Sequence, residues 1–255
     1  NAVLFVTRKK DKKPGPGVLR AIYDSAAADS NAEALAVIQC SYLDKKKAKL
    51  VLADLKDSLR QVSAAVSDFD KMLAQAGQIR DNLTASKDSL PVSDAEAEES
   101  IRFLAWLMDN HFTFLGYEQY RVSKTNDDHE LRLDKNSILG VSKYKKNITP
   151  ITKTSSLPKG TARIILRKQI CSFAKSATAS KVHRPAHYDY VLVKEFDAQG
   201  EVCKEHRFLG LYTSAVYFRE ALEIPLVRRK VEAVLNASGF SHNGHDIKNL
   251  MQIIN

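Results

Sequence analysis

The chain has 255 residues, 44% of them hydrophobic and 27% charged, and a formal net charge of +9. That composition excludes wholesale disorder, collagen and low-complexity polymers, and the length suffices for one large domain or two modest ones. No run approaches the ~18 apolar residues of a membrane-crossing helix, and the first residues lack a basic start and a small-residue cleavage site, so neither a membrane span nor a secretory signal is expected.

Asn1-Ala2 reads as a scar of tag removal and is set aside. Val3-Leu4-Phe5-Val6 is a short apolar run and reads as a strand. Residues 8–17 hold Lys9, Lys10, Lys12 and Lys13 beside Pro14-Gly15-Pro16-Gly17, a solvated turn or loop. Residues 19–23 and 35–43 read as two further strands, with a small, polar loop over 26–31. From Asp44 the period changes. Leu52, Leu55, Leu59, Val62, Val66, Phe69 and Leu73 recur at alternating spacings of three and four, the stripe of one helix face. Asp44 suits the N-cap and Gly77 the stop, with a break near Ser67-Asp68. So long a stripe suits a coiled-coil seam or a helix lying across a sheet; the second is preferred, because three strands need a cover.

Residues 82–93 are polar, contain Pro91 and read as a linker. Ser93-Asp94-Ala95-Glu96 has the Ser-x-x-Glu form of a capping box, in which hydroxyl and carboxylate each satisfy a backbone N–H at a helix start. Ile101, Leu104, Ala105 and Met108 follow at helical spacing, and this helix should end near Asn110. After it the chain reads mainly as strands: 112–122, 130–133 after a turn at Asn126-Asp127-Asp128, and the apolar segment 163–166 beyond a basic connection over 143–160. Residues 188–196 and 202–213 form a hairpin around Asp197-Ala198-Gln199-Gly200, where Asp first and Gly fourth suit a type I turn. Pro225 suits a helix start. Val227, Val231, Val234 and Leu235 share its face, and Gly239 ends it. Ile247, Leu250, Met251 and Ile254 repeat the helical spacing. That last helix has no C-cap before the final residue, so the chain is expected to be cut from something longer.

Charge is uneven. Residues 1–60 carry 12 Lys and Arg against 7 Asp and Glu, residues 61–120 carry 4 against 10, and residues 121–255 carry 23 against 13. Two basic regions flank an acidic middle, a field that suits nucleic acid, an anionic metabolite or an acidic partner. Cys40, Cys171 and Cys203 are odd in number and widely spaced, which fits inert thiols in a reducing cytoplasm rather than a disulfide framework.

Motifs for chemistry are sparse. Nothing matches a P-loop, a G-x-G-x-x-G turn or a G-x-S-x-G elbow. His183 and His187 are four apart, but Pro185 between them disfavours the helix that would bring both to one metal, and an extended chain separates them by roughly 13 Å. His242 and His245 flank a turn and lack a third ligand, so no metal site is expected. Lys181, His183, Arg184 and Arg207 are candidates for an anion or effector pocket, or for an ion-paired interface patch. Asp189, Glu195, Glu201 and Glu205 near the hairpin read as strand-surface charge. Phe112, Phe114, Tyr117 and Tyr120 alternate as a stacking platform for single strands would, but alternating rings in strands more often form core. A basic nucleic-acid-binding module is the alternative function that charge and rings leave open.

Three strings are distinctive: His111-Phe112-Thr113-Phe114-Leu115-Gly116-Tyr117, Val182-His183-Arg184-Pro185-Ala186-His187-Tyr188-Asp189-Tyr190 and Arg207-Phe208-Leu209-Gly210-Leu211-Tyr212-Thr213-Ser214. With Ile224-Pro225-Leu226-Val227-Arg228-Arg229-Lys230-Val231 they resemble the N-terminal region of the large bacterial NAD-specific glutamate dehydrogenases, closely over 93–255 and more loosely over 1–80. The resemblance implies an α+β chain. Residues 3–80 would be a partial ACT-like unit, strands covered by a long helix. Residues 81–110 would be a helical linker, 111–220 a PAS-like antiparallel sheet ending in a long hairpin, and 221–255 two C-terminal helices. It implies a cytoplasmic regulatory or oligomerisation fragment, non-catalytic by itself. No catalytic residue carries over, NAD binds elsewhere in the parent enzyme, and no cofactor binds here. The implied partners are the rest of the same polypeptide, further copies of the chain, and an amino-acid effector; neither a membrane nor nucleic acid is expected.

Overall fold

The computed structural model describes residues 2–9, 18–23, 25, 31–35, 37–125, 128–145 and 149–239. Residues 10–17 and 26–30 of the expected loops over 8–17 and 26–31, the residues Asn126-Asp127 of the expected turn, and the expected helix over 247–254 lie outside the described residues. The backbone groups into two units, 1–52 and 53–255.

In the first unit Val3-Leu4-Phe5-Val6 lies within β1 (Ala2–Lys9), which pairs antiparallel with β2 (Val18–Tyr23) on one side and β3 (Asn31–Leu35) on the other. The third strand thus comes earlier than expected. Leu35 lies opposite Ala2, the first residue of β1, so the pairing runs out where the apolar Val37 and Ile38 begin. Both are exposed, and residues 37–44 carry no regular structure.

Helix α1 (Lys45–Ser67) starts as expected at Asp44, whose carboxylate accepts the Lys47 N–H at 2.8 Å. It stops at Asp68, and α2 (Phe69–Ala85) follows directly. The break has a chemical cause. Asp68 turns its carboxylate into the protein, where it accepts the Gly140 N–H at 2.9 Å, Lys143 at 2.5 Å and Lys71 at 3.1 Å. Gly77 does not stop the helix. It lies within α2, where a Cβ would make an ordinary van der Waals contact with Met108. Leu55, Leu59 and Val66 of the apolar stripe remain exposed.

In α3 (Asp94–Trp106) half of the capping box forms: Ser93 Oγ accepts the Glu96 N–H at 3.3 Å. The Glu96 carboxylate goes instead to the Ile170 N–H, tying the helix start to a distant segment. After Trp106 the chain widens into one π turn over Leu107–His111, and Asn110, at φ 58°, ends the helical path as expected.

The sheet of the second unit has the order β6-β5-β4-β9-β8-β7, antiparallel throughout. Its strands are β4 (Phe112–Thr125), β5 (Asp128–Gly140), β6 (Ile151–Lys153), β7 (Cys171–Ala179), β8 (His187–Phe196) and β9 (Val202–Tyr212). The β8–β9 turn is the expected one: Gly200 N–H donates to Asp197 O at 3.0 Å, and the Asp197 side chain accepts from Gln199 and Glu201 N–H. The segment 163–166 is a correction. It belongs to helix α4 (Lys159–Leu166), whose last carbonyls are bound by a lysine from the sheet rather than by strand partners. Helix α5 (Val227–Ala237) follows Pro225 and turns into Gly239 at φ 70°.

Both faces of the sheet are covered. On one, Phe114, Tyr117, Val191, Val193 and Phe208 pack against Met72, Ala76, Ile79 and Leu83 of α2 and Phe103 and Leu104 of α3. Phe112, Phe114 and Phe208 meet edge to face, with ring centres 5.1 and 5.4 Å apart. Each buried Phe contributes about 2–3 kcal/mol. On the other face, Leu115, Tyr188, Leu209 and Leu211 meet Ala65 of α1, and Tyr120, Leu131 and Leu133 meet Ile165 of α4. The rings at 112, 114, 117 and 120 are therefore core rather than an open platform.

Candidate functional site

Strand register decides what the α1/α4 side of the sheet presents. Glu118 lies opposite Arg207, Tyr120 opposite Glu205, Arg207 opposite Leu192, and Glu205 opposite Lys194. Because side chains alternate along a strand, Glu118, Tyr120, Glu205, Arg207 and Lys194 all emerge on one face. A cavity of ≈ 730 Å³ opens over it, walled by Glu118, Tyr120, Tyr188, Tyr190 and Arg207 from the sheet, Ile165 from α4, Asp57 and Gln61 from α1, and Lys145.

The charges there are paired within the site. Lys145 Nζ donates to Glu118 Oε1 at 2.6 Å and lies 5.1 Å from the centre of the Tyr190 ring. Arg207 Nε donates to Glu205 Oε1 at 2.6 Å, and its guanidinium sits 4.1 Å from the Tyr120 ring centre. Cations over tyrosine faces are held by the ring quadrupole as well as by the carboxylates. Glu118 and Glu205 are 1% and 0% exposed; the Tyr120 phenol bonds the Glu118 carboxylate, and the second oxygen of Glu205 has no partner among protein atoms. Burial, reinforced by the charge of Glu118, pushes the Tyr120 phenol above its ordinary range.

Lys194 is fully buried beside this face. Its ammonium donates to the Ile164 and Arg167 carbonyls at 2.5 and 2.8 Å, closing the C-terminal end of α4. Burial lowers its pKa to about 8, with Glu205 acting in the opposite sense.

The opposite face holds a second polar chain. Tyr117 OH lies 2.8 Å from His206 Nδ1, His206 Nε2 lies 2.9 Å from Glu195 Oε1, and Lys204 donates to Glu195 Oε2 at 2.8 Å. A neutral imidazole with its proton on Nε2 satisfies both neighbours. Tyr117 and His206 are buried, so this Tyr–His–Glu line cross-braces β4, β9 and β8. The His206 bond first, then Lys204 against the opposing effect of burial, bring the Glu195 pKa to about 2. At Asp68 burial would raise the pKa, but the bonds from Lys143, Gly140 and Lys71 outweigh it and bring it to about 2. Both folded values are depressed, so the stability they contribute is complete above the ordinary carboxylate range and is lost as pH falls toward 2. Urea unfolding of this chain, followed by its single tryptophan, Trp106, should show the midpoint falling steeply between about pH 4.5 and 2. In Asp68→Asn the fall should be shallower, and an equally steep fall would remove Asp68 from the account.

The four sequence-derived candidates do not converge. Lys181 and Arg207 border the same cavity, but exposed Lys181 pairs with Asp54 and Asp57 at 2.9 and 3.4 Å. His183, at φ 70°, borders a separate hollow beside α1 with Val62, Val66 and Phe69. Arg184 donates to the Tyr212 carbonyl at 2.8 Å and lies over Tyr217. Asp189, Glu195, Glu201 and Glu205 each take a cation: Lys175, Lys204, Lys168 and Arg207. Sequence reasoning missed Glu118, Lys145 and Lys194. The available signal was a charge at a strand position whose neighbours two residues away are apolar, as at Lys194 after Leu192. Among the described residues no group of three or more His, Cys, Asp or Glu could hold a metal ion, and His242 and His245 lie outside them. The three thiols are free: Cys40 is exposed, Cys203 half-buried, and burial pushes Cys171 up to about 12. Among the described residues no helix is long and apolar enough to cross a membrane.

A family model described as glutamate dehydrogenase, helical motif 1, matches residues 224–255. The NAD-specific glutamate dehydrogenase of Halomonas elongata is 41% identical over 209 residues, 79% of this chain and 12% of that protein. The protein of the same name from Pseudomonas aeruginosa is 39% identical over 197 residues, 77% of this chain and 12% of its own length. That from Mycobacterium tuberculosis is 27% identical over 206 residues. The chain thus spans 12% of the length of the first two relatives. By this similarity it belongs to the large NAD-specific glutamate dehydrogenases, as a stretch of their N-terminal region.

Proposed function

We propose that this chain is a regulatory and oligomerisation segment of a cytoplasmic enzyme that converts L-glutamate, NAD and water to 2-oxoglutarate, ammonia and NADH. The observation that carries the reading is the 41% and 39% identity, which extends over most of this chain yet covers 12% of enzymes with that name. On this reading NAD and the reacting glutamate bind in the remainder of the parent polypeptide, and this segment supplies no catalytic residue. Its partners are that remainder and further copies of the chain, and an amino acid is its effector.

Residues 111–220 are read as PAS-like. An antiparallel sheet closed by the β8–β9 hairpin supports this. Residues 3–80 are read as a partial ACT-like unit, supported by three antiparallel strands followed by α1. The test is an assay of this chain with NAD and L-glutamate beside the full-length enzyme. The chain is expected to give no NADH, and the full-length enzyme lacking this segment is expected to change its oligomeric mass or its response to amino acids. NADH formation by the chain alone overturns the non-catalytic reading. An unchanged mass and response after deletion overturn the regulatory one.

A further inference from the structure

We propose that the outer face of α1 is a dimerisation surface, on which a second copy of this chain lays its own α1 antiparallel, with the two-fold axis between Leu59 and Val62. The pairing rests on the helix itself; its service to the assembly of the parent enzyme rests on the oligomerisation reading above.

Helix α1 meets the sheet through Ala65, which packs with Leu115, Leu209 and Leu211. A second face remains. Leu52, Leu55, Leu59, Val62, Val66 and Phe69 occupy it at alternating spacings of three and four, the a/d repeat of a coiled-coil seam. All six are exposed, Leu59 at 59% and Val66 at 71%. Together they leave roughly 500 Å² of apolar surface, toward the upper end of what a monomer carries. Beside the seam, Val62, Val66 and Phe69 share a hollow of ≈ 400 Å³ with Thr113, Leu115 and Val182. Side chains of a facing helix fit such a hollow as knobs fit holes.

The occupant follows from the spacing, which is its own mirror image. Reversing the chain about the midpoint between Leu59 and Val62 sets Leu59 opposite Val62, Leu55 opposite Val66 and Leu52 opposite Phe69. Every a position then meets a d position, and each contact occurs twice, as a two-fold pair of identical helices requires. Leu52 and Leu55 of one copy thereby reach the hollow beside Val66 and Phe69 of the other. The same operation brings Lys49 of one copy to Asp70 of the other, both exposed, and Lys56 to Ser63. Opposite charges meet beside the seam and like charges do not. In a parallel pair Asp70 would face Ala65 and gain nothing. The two stripes alone cover about 1,000 Å² on pairing, the floor of a specific interface, and the hollow and flanks add to it.

The test is sedimentation equilibrium of this 255-residue chain from about 5 to 200 µM, a range suited to an interface near that floor. The mass is expected to rise with concentration from 28.5 kDa to twice that value. Leu59→Asp replaces an exposed side chain, so the monomer should keep its melting temperature. It should weaken pairing at least about tenfold, because two carboxylates would be buried against each other at the axis. Lys49→Glu and Asp70→Lys should each weaken pairing about threefold, and the double variant should recover the parent affinity, which fixes the antiparallel register. A dimer indifferent to Leu59→Asp, or a double variant no better than the singles, overturns the proposal. A chain that stays monomeric throughout the range also overturns it, and if Leu59→Asp then alters the mass of the full-length enzyme, the stripe belongs to the remainder of that polypeptide. A dimer lost in Leu59→Asp, with the full-length enzyme carrying the same change unaltered in mass, leaves the surface standing and overturns the oligomerisation reading.

Discussion

Gly140→Ala should destabilise the second unit by about 4 kcal/mol, lowering its melting temperature by roughly 10 °C. Gly140 has φ +59° and ψ −139°, close to a region that only glycine occupies without strain. Space is the larger obstacle. A Cβ there would lie 2.1 Å from the Leu115 carbonyl oxygen and 2.9 Å from its carbon, both backbone atoms of β4. Backbone inside a paired strand cannot step aside as a side-chain tip can, so the end of β5 must lift from β4. The Gly140 N–H bond to Asp68 is then lost as well, and with it the contact that holds the break between α1 and α2. Gly160→Ala is the matched control. It lies in the first turn of α4 with nothing near its Cβ position, and should stabilise by about 0.5–1 kcal/mol. Urea unfolding of both variants decides the matter. Equal midpoints for Gly140→Ala and the parent chain would refute the steric argument.

Elements whose signal is local were legible in the sequence. The Ser93 cap and the Asp197–Gly200 turn each rest on residues within a few positions of one another, whereas the break at Asp68 shows locally only as a polar residue in the stripe and is fixed by Gly140 and Lys143 far along the chain. Strand β7 was missed because it is an edge strand. Beyond Cys171 and Ser172 its residues are mostly exposed, so no apolar alternation marks it. Helix α4 is eight residues long, too short for its period to separate it from a strand, and Lys194 from a strand far away completes its end. The cavity was half legible. Lys181 and Arg207 were noticed as cations, yet Arg207 acquires its surroundings through register. Glu118 and Leu192 flank it on adjacent strands, and Glu205 reaches its Nε along the same strand. Those pairings join residues 118, 192 and 207, and the cavity adds Lys145, at separations that no local pattern encodes. The carboxylates near the hairpin read as surface charge, yet Glu205 is fully buried and held by a guanidinium that itself lies on Tyr120.

Glu99→Ala should cost about 3–4 kcal/mol and release α5 from the rest of the second unit. Glu99 projects from α3 and is 6% exposed. It accepts the Leu226 N–H at 3.0 Å and pairs with Arg228 through Nε at 2.8 Å and through Nη2, while Arg102 approaches to 3.5 Å. Leu226 stands at φ 66°, a strained conformation for a branched side chain, immediately before α5. One carboxylate therefore holds the strained entry residue and neutralises the arginine of the first turn. Burial would raise its pKa, but Arg228 and the Leu226 N–H prevail and lower it, so this anchor too weakens as pH falls. Truncation to alanine leaves a buried N–H without an acceptor and a half-buried guanidinium without its anion. Glu99→Gln keeps an acceptor for Leu226 but removes the charge, and should lose about half as much. Hydrogen exchange locates the effect: amides of Val227–Ala237 should lose protection in Glu99→Ala while those of β4 and β9 keep theirs relative to the global stability. Uniform loss across the sheet would show that Glu99 supports the core rather than anchoring this helix.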